Sequence, residues 1–347
     1  MANPGISQEI AKSTLDAYAS SNENQALAAR MLGISRSTFL SRLHRAQAMD
    51  LKPFTVESLP SKDLPLKDLL DLRRKTWEHR NAGERARELI RVTVRLDGPI
   101  GILHFGDPHI DDDGCNFPKL ESDVRLCQKT PGLFAGNVGD LHNNWVGRLA
   151  RLYGSQSTSA AQAWKLVEWF IKELNWLYIV KGNHDMWSGS GDPLDFIKSS
   201  VGVLEAHGAR LDLVFPNKKH VRVNARHDFA GHSMWNPNHG PVKAIKSGWR
   251  DHILTCGHKH ETGFGPPLKC PSTGLISWPI RCAGYKVHDD YGAALGLPNQ
   301  NIAPSILTVI DPTKADDDPG LVTPFLSVEE GVEFLTWKRK RHARGHG

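Results

Sequence analysis

Four short stretches decide the fold: Gly106-Asp107-Pro108-His109, Gly139-Asp140, Gly182-Asn183-His184-Asp185 and Gly257-His258-Lys259-His260. Each follows an apolar run that reads as a buried strand: Ile100 to Phe105, Leu133 to Val138, Trp176 to Val180 and Ile253 to Cys256. In open α/β sheets, ligands collect outside the carboxyl ends of strands. Side chains at i and i+2 of a strand share a face. Extended backbone would therefore bring Asp107 to His109 and His258 to His260. A fifth run, Val221 to His227, alternates in polarity and ends on His227. The strand tips together offer carboxylate, imidazole and amide groups to one place, a ligand set for two divalent cations.

Composition sets the frame. With 347 residues the chain can build one large core and a small module. Lys and Arg number 43 against 38 Asp and Glu, a net charge of +5. That mild basicity is compatible with a nucleic-acid partner without requiring one. Five cysteines, an odd number with no CxxC pair, read as reduced thiols in a cytoplasmic protein rather than a disulfide frame or zinc knuckle. No apolar run approaches the roughly 18 residues of a membrane helix. The first residues lack the charged-then-apolar pattern of a secretory signal.

Residues 1–50 read as a small helical module. Ile10, Thr14, Ala17 and Tyr18 give a weak apolar face to a first helix. Asn22 is expected to cap a second, running to about Leu32, and Gly33 to end it. Ser35 is a good N-cap for a third helix, Arg36 to Ala48. The stretch from Ala28 to Leu40 resembles the helix-turn-helix of Fis-like DNA-binding modules. Ala29 is small where two helices would cross, and Phe39 and Leu43 face inward. Arg36, Ser37, Ser41, Arg42 and Arg45 remain outside, suited to phosphates and base edges of DNA. The alternative is a module that docks protein with the same helices.

Residues 51–90 read as a linker marked by Pro53, Pro60 and Pro65, then a charged, solvated helix from Leu66 to about Ile90. The large domain spans 91–312, opening with an edge strand at Arg91 to Leu96. Asp111-Asp112-Asp113-Gly114 looks like part of an EF-hand loop. The count places His109 and Leu120 where that loop needs acids, so the aspartates read as a solvated loop beside the site. Ala160 to Leu174 is expected to be a helix with Trp164, Val167, Phe170 and Ile171 in the core. Gly189, Gly191 and Pro193 read as a flexible loop. His232, Trp235, Asn236 and His239 lie on a loop able to hold a substrate. His232 competes with His227, which is preferred because it ends a strand pattern. His104 and His220 read as satisfied structural histidines. Ile276 to Ala283 and Ser305 to Ile310 are further strands. Residues 313–347 read as a short helix capped at Ser327 and a disordered basic tail, Lys338 to Arg344.

The ordered series Asp107-x-His109, Gly139-Asp140, Gly182-Asn183-His184-Asp185, His227 and Gly257-His258-x-His260 resembles the calcineurin-like metallophosphoesterase superfamily. Within it, the phage-type and repair-nuclease-type branch is the one favoured. The resemblance implies an α/β fold of two facing mixed β-sheets flanked by helices, a four-layer sandwich. It implies Asp107, His109 and His260 on one metal, Asn183, His227 and His258 on the other, and Asp140 bridging. Oxygen and imidazole donors without thiolate suit Mn²⁺ first, with Fe, Zn²⁺ or Mg²⁺ as alternatives. Two such ions clamp an in-line displacement at phosphorus and acidify the water between them. His184 is then the general acid for the leaving oxygen. Asp185 either orients an imidazole or closes its turn. Asn143 stands where many members carry a carboxylate that supports the catalytic histidine. Asn143-Asn144-Trp145 also lacks the Asp-Arg-Gly of the phosphoprotein phosphatases. Three readings are open. The first is a metal-dependent nuclease acting on DNA, targeted by the N-terminal module and of phage type. The second is a phosphatase or phosphodiesterase for a small nucleotide. The third is a DNA-binding protein with an idle metal site.

Overall fold

The computed structural model describes residues 5–49, 59, 61–188, 193–197, 201–288, 293, 296 and 301–345. Pro53, Pro60, Gly189 and Gly191, on which the linker and loop expectations rest, lie outside the described residues. The chain divides into two compact units, Met1–Arg74 and Lys75–Gly347.

The first unit holds three short helices, α1 (Gln8–Ser20), α2 (Gln25–Met31) and α3 (Arg36–Ala48). Ala17, Ala28, Ala29, Phe39 and Leu43 form its small core. Ser35 caps α3 by accepting from Thr38 N at 3.2 Å, a contact of about 1 kcal/mol. The cap of α2 is Asn24, not Asn22; its side chain accepts from Ala26 N and Leu27 N. Asn22 is spent on ending α1. It takes φ 52°, with Glu23 at 64°, and their amides return to Ala19 O and Tyr18 O. Asparagine tolerates the left-handed region that such a helix end requires.

Helix α4 (Leu66–Arg87) buries no residue. Leu66, Leu69, Leu70 and Trp77 are exposed on it. It is solvated and charged, with Arg74–Asp71 and Arg80–Glu84 pairs along its surface.

The second unit is mixed α/β, with two mixed sheets. Six strands order as β13 (Val322–Phe325), β12 (Ser305–Ile310), β2 (Ile100–Phe105), β3 (Leu133–Asn137), β4 (Trp176–Val180) and β5 (Val201–Glu205). From β2 to β5 all pairs are parallel, while β12 runs antiparallel to β2 and to β13. The other sheet orders β1 (Ile90–Thr93), β6 (Ala209–Val214), β7 (His220–Ala225), β8 (Ile253–Cys256), β11 (Ile276–Arg281) and β10 (Leu268–Lys269), with β9 (Gly263–Phe264) also on β11. Strand β1 is an edge, as its alternation predicts.

The sheets face each other. Ile100, Ile102, Tyr178, Val180 and Ile306 of one meet Leu211, Leu213, Val223, Ile253 and Ile280 of the other in one buried cluster. The outer face of the six-stranded sheet is covered by α5 (Phe117–Lys129), α6 (Ala160–Glu173) and the C-terminal helix α10 (Val328–Gly345), through Leu120, Val167, Phe170 and Leu335. Four-residue helices α7 (Asn183–Met186) and α8 (Leu194–Ile197) follow β4. Helix α9 (His239–Lys246) packs Ile245 with Leu254 and Cys256 of β8 on the outer face of the second sheet. Each fully buried Ile, Leu or Phe contributes about 1.5–3 kcal/mol, so these apolar runs hold the layers. No helix among the described residues is long and apolar enough to cross a membrane. All five cysteines are free thiols.

Three expectations fail against this fold. Residues 313–347 do not stand apart: β13 extends the six-stranded sheet and α10 covers it. The tail is not disordered. Residues Lys338–Arg344 continue α10, tied down by Lys338 on Asp311 (2.8 Å), Arg339 on Pro99 O (2.6 Å) and His342 on Asp97 (3.2 Å). Buried Leu335, one turn earlier, anchors them. Finally, Asp111 is buried rather than solvated, and accepts from Asn143 N at 2.7 Å.

Candidate metal centre

The carboxyl ends of β2, β3, β4, β7 and β8 meet at one rim, and the chain stops being extended where the ligand-type residues begin. His109 (φ 40°), Asp140 (48°), His258 (71°) and His260 (52°) all take left-handed backbone. They are four of the eight non-glycine residues with positive φ among the described residues. Each such residue costs on the order of 1–3 kcal/mol, and such strain gathers at functional sites. It also overturns the expected convergence of His258 with His260. Alternation along a strand does not apply to left-handed residues, and the two imidazoles part to different neighbours.

Those neighbours define three groups of ligand atoms, each mutually within 4.8 Å: Asp107, His109 and His260; Asp140, His227 and His258; and His109, Asp140 and His184. Two donors about 2.1 Å from one ion lie at most roughly 4.2 Å apart, so the groups are near coordination spacing. Asn183 joins the second group, with Oδ1 2.9 Å from His227 Nε2. Asp140 lies between, its Oδ2 3.3 Å from His227 Nε2 and 3.8 Å from His109 Nε2. All seven ligand-type residues named from the sequence are thus brought together. His232 belongs to none of the groups.

The fit to divalent cations rests on several local facts. Asp107 Oδ1 is buried without a hydrogen-bond partner, while Oδ2 accepts from His258 N at 2.6 Å. An orphaned buried carboxylate oxygen is costly, and a cation removes that cost. His227 Nδ1–H donates to Val138 O at 2.8 Å, and His109 Nδ1–H donates to Asn143 Oδ1 at 2.9 Å. Both bonds place a proton on Nδ1, so that Nε2, facing the cluster, is the atom a metal would take in exchange for any proton there, as in metal-ligating histidines. Glycine leaves room. A Cβ on Gly139 (φ 120°) would meet His227 Nδ1 at 2.5 Å, and one on Gly182 or Gly257 would overlap the carboxylates of Asp140 or Asp107. No group contains a thiolate, which suits Mn²⁺, Fe, Zn²⁺ or Mg²⁺ rather than softer ions.

Electrostatics agree. Burial lowers the imidazole pKa of His227, but nearby Asp107 and Asp140 outweigh it and hold the ring up at about 10. The carboxylates demand positive charge at this point. Asp140 is pushed up by burial and pulled further down by its contact with His227, ending below the usual range. Burial raises Asp107 and lowers His109.

His184 sits differently from the expectation. Its Nδ1–H donates to the backbone carbonyl of Asn143 at 2.6 Å, whereas the Asn143 side chain serves His109. Its ring packs tilted against Trp187 (centroids 4.0 Å, 36° between planes) and edge-to-face with Trp145 at 5.4 Å. Asp185 closes its turn through Gly182 N (2.8 Å) and links to Leu141 N (3.1 Å).

Three supporting residues carried no sequence signal that singled them out. Arg281 is wholly buried. It donates to Pro237 O (2.8 Å), to Gly257 O and to Asp228 Oδ1 (2.8 Å), fixing the loops that carry His227 and His258. Gln156 ties Trp145 Nε1 (2.9 Å) to the Asp111 loop. His142 is buried against the Trp164 ring at 4.3 Å. A solitary Arg, Gln or His in a loop looks like any other until the fold is known. His104 and His220 are structural: His104 bridges Tyr178 and Thr308 in the core, and His220 pairs with Asp212.

No protein-family model matches the chain, and no curated protein matches it. Among solved structures, one match is a conserved uncharacterized protein, a predicted phosphoesterase, from Streptococcus pneumoniae TIGR4. The identity is 11%, the TM-score 0.27, and the match covers 65% of this chain and 97% of that one. A likeness of that size carries no argument about this chain.

Proposed function

We propose that the second unit is a two-metal phosphoesterase that hydrolyses phosphodiester bonds, with DNA as its substrate. The observation that carries this reading is the pair of ligand groups on either side of Asp140, each an oxygen-and-imidazole set, with Nδ1–H of His109 and His227 already engaged. Asp107, His109 and His260 would hold one ion, and Asn183, His227 and His258 the other. Bound ions supply charge to the phosphate oxygens and acidify water. The remaining work falls to the chain. Asn143 O accepts from His184 Nδ1–H whether or not Nε2 carries a proton. The ring is thereby aimed while Nε2 delivers a proton to the leaving oxygen. The indoles of Trp145 and Trp187 pack against the half-buried ring and restrict its movement.

The first unit is the targeting device in this reading. Arg36, Ser37 and Ser41 are exposed on α3, with Arg42 and Arg45 half-buried; Ser37, Ser41 and Arg45 lie opposite Phe39 and Leu43, and Arg36 and Arg42 flank that core face. That arrangement supports contact with phosphates and base edges.

The test is turnover of bis-(p-nitrophenyl) phosphate by purified protein in Mn²⁺, beside metal content by elemental analysis. Plasmid DNA and the phosphomonoester serve as comparison substrates. Absence of metal-dependent turnover on all three refutes the enzyme. Turnover of the monoester alone refutes the diesterase. Removal of residues 1–50 is expected to weaken DNA binding and flatten its salt slope while ester hydrolysis persists. Unchanged affinity and slope make the module a protein-docking element.

A further inference from the structure

The chain between the bridging-type aspartate and α6 makes an arm whose base is at the metal centre. It leaves at Trp145, which touches His184, and returns at Gln156. Trp145 Nε1 donates to Gln156 Oε1 at 2.9 Å. Gln156 Nε2 donates to Thr158 Oγ1 at 2.9 Å and to Asp111 Oδ2 at 3.3 Å. One amide thus closes both ends of the arm onto the loop behind His109. Between them lies a 3-10 helix, Gly147–Ser155, with no buried residue. Three residues per turn and about 2 Å of rise put i and i+3 on one line, roughly 6 Å apart. Arg148 and Arg151 have that spacing. Both are exposed, and with Leu149 they border an open surface hollow of about 450 Å³. Among the described residues neither arginine is paired with a carboxylate. Arg148 is three residues from Trp145, at most about 10 Å of chain.

Two exposed guanidinium forks at i and i+3 of this 3-10 helix, on the arm that starts at the Trp145 ring against His184, match the planar donor pattern that recognises phosphate. We infer that Arg148 and Arg151 hold a phosphate other than the one cleaved, so that the substrate carries at least two phosphates. The inference rests on the phosphoesterase reading. Its chemistry fits the next phosphate of a nucleic-acid strand or the second phosphate of a small nucleotide. A merely solvated charged face is the alternative.

The experiment compares wild type with Arg148→Ala/Arg151→Ala in two assays. The first is binding of a fluorescent single-stranded oligonucleotide by anisotropy, in chelator and at several salt concentrations. It needs no catalysis and stands even where turnover fails. The double variant is expected to bind about tenfold or more weakly, with a salt slope smaller by about 0.7 for each phosphate no longer neutralised. Arg125→Ala, on exposed surface of α5, sets the effect of removing one charge anywhere. The second assay is the ratio of kcat/KM on the oligonucleotide to that on bis-(p-nitrophenyl) phosphate, which has one phosphate. That ratio should fall at least tenfold, whereas a structural role would lower both together. Competition by a nucleoside diphosphate, abolished in the variant, assigns the site to a small nucleotide instead of a strand. Unchanged oligonucleotide affinity and unchanged competition, or an unchanged ratio, overturn the inference. No turnover of any ester by wild type, with the binding difference intact, overturns the enzyme reading alone.

Discussion

Asp140→Asn keeps the shape of the side chain and removes one negative charge from the point shared by the two ligand groups. Asp140 Oδ2 faces His227 Nε2 at 3.3 Å and His109 Nε2 at 3.8 Å, and Oδ1 accepts from His184 N at 2.9 Å. Both groups therefore trade an anionic carboxylate for a single neutral amide oxygen. Loss of a residue that merely supports a ligand costs roughly 10–100-fold in affinity, so a hundredfold loss per ion is a modest expectation for a ligand itself. An ion at about 100 times its Kd stabilises the folded chain by about 2.7 kcal/mol. At the same metal concentration a hundredfold weaker site retains about 0.4 kcal/mol. Asp140→Asn should thus forfeit about 4–5 kcal/mol of metal-induced stability across two ions. Asp107→Asn, whose neighbours in ligand reach are His109 and His260, should forfeit about half. At about 2 °C per kcal/mol for a domain of this size, the metal-induced rise in Tm shrinks by about 9 °C and about 5 °C respectively. The assay is a thermal melt in chelator and in saturating Mn²⁺, with metal content measured on the same samples. Two full equivalents of metal and a full Tm rise in Asp140→Asn would refute the shared-ligand reasoning.

His184→Gln should retain both metals and lose turnover by roughly 10²-fold or more, with a smaller loss for p-nitrophenolate esters than for poor leaving groups. An equal loss for both points to positioning, and absent metal to a ligand role. Arg281→Met should cost about 3–5 kcal/mol, because it leaves Asp228 and two loop carbonyls without their buried cation; urea denaturation with metal content checks whether the His258 loop loosens too. His104 governs an acid response. Burial holds its ring down at about 3 in the folded chain, against an ordinary value near 6.5. A depressed folded pKa means the unfolded chain binds the extra proton first, so stability falls as pH drops from about 6.5 towards 3. The slope approaches ~1.4 kcal/mol per pH unit, and Tm against pH should be flatter for His104→Gln than for wild type.

The strands and the ligand-type residues were legible because two independent constraints mark them. Apolar runs such as Trp176–Val180 and Ile253–Cys256 have the length of buried strands, and their bounds match the structure. Metal chemistry restricts the residue types at the strand tips. The backbone conformation of those tips was not legible. Nothing in His109, His258 or His260 announces a left-handed φ, since only surrounding packing can hold it there. Helix α10 resists reading for a related reason. Its charge density argues for a solvated tail, but the anchors for that charge, Asp311, Asp97 and Pro99 O, come from distant parts of the chain.

The same division explains Asn143. By type it reads as a missing carboxylate beside a catalytic histidine. In the fold its amide serves His109, its carbonyl serves His184, and its Nδ2 donates to Asp112 Oδ2 at 2.8 Å. Asp111 Oδ1 accepts from its backbone N. The acidic run that fails as a calcium loop is therefore what positions Asn143. Negative charge stands one hydrogen bond behind the amide instead of on it. An amide relays polarity in fixed order: a carboxylate pulls on Nδ2–H, which makes Oδ1 a better acceptor for His109 Nδ1–H. A carboxylate at 143 would instead face Asp112 at hydrogen-bond distance, and two like charges there would repel. The asparagine is thus matched to its acidic neighbours, and it looks like a loss only when residues more than thirty positions upstream are overlooked.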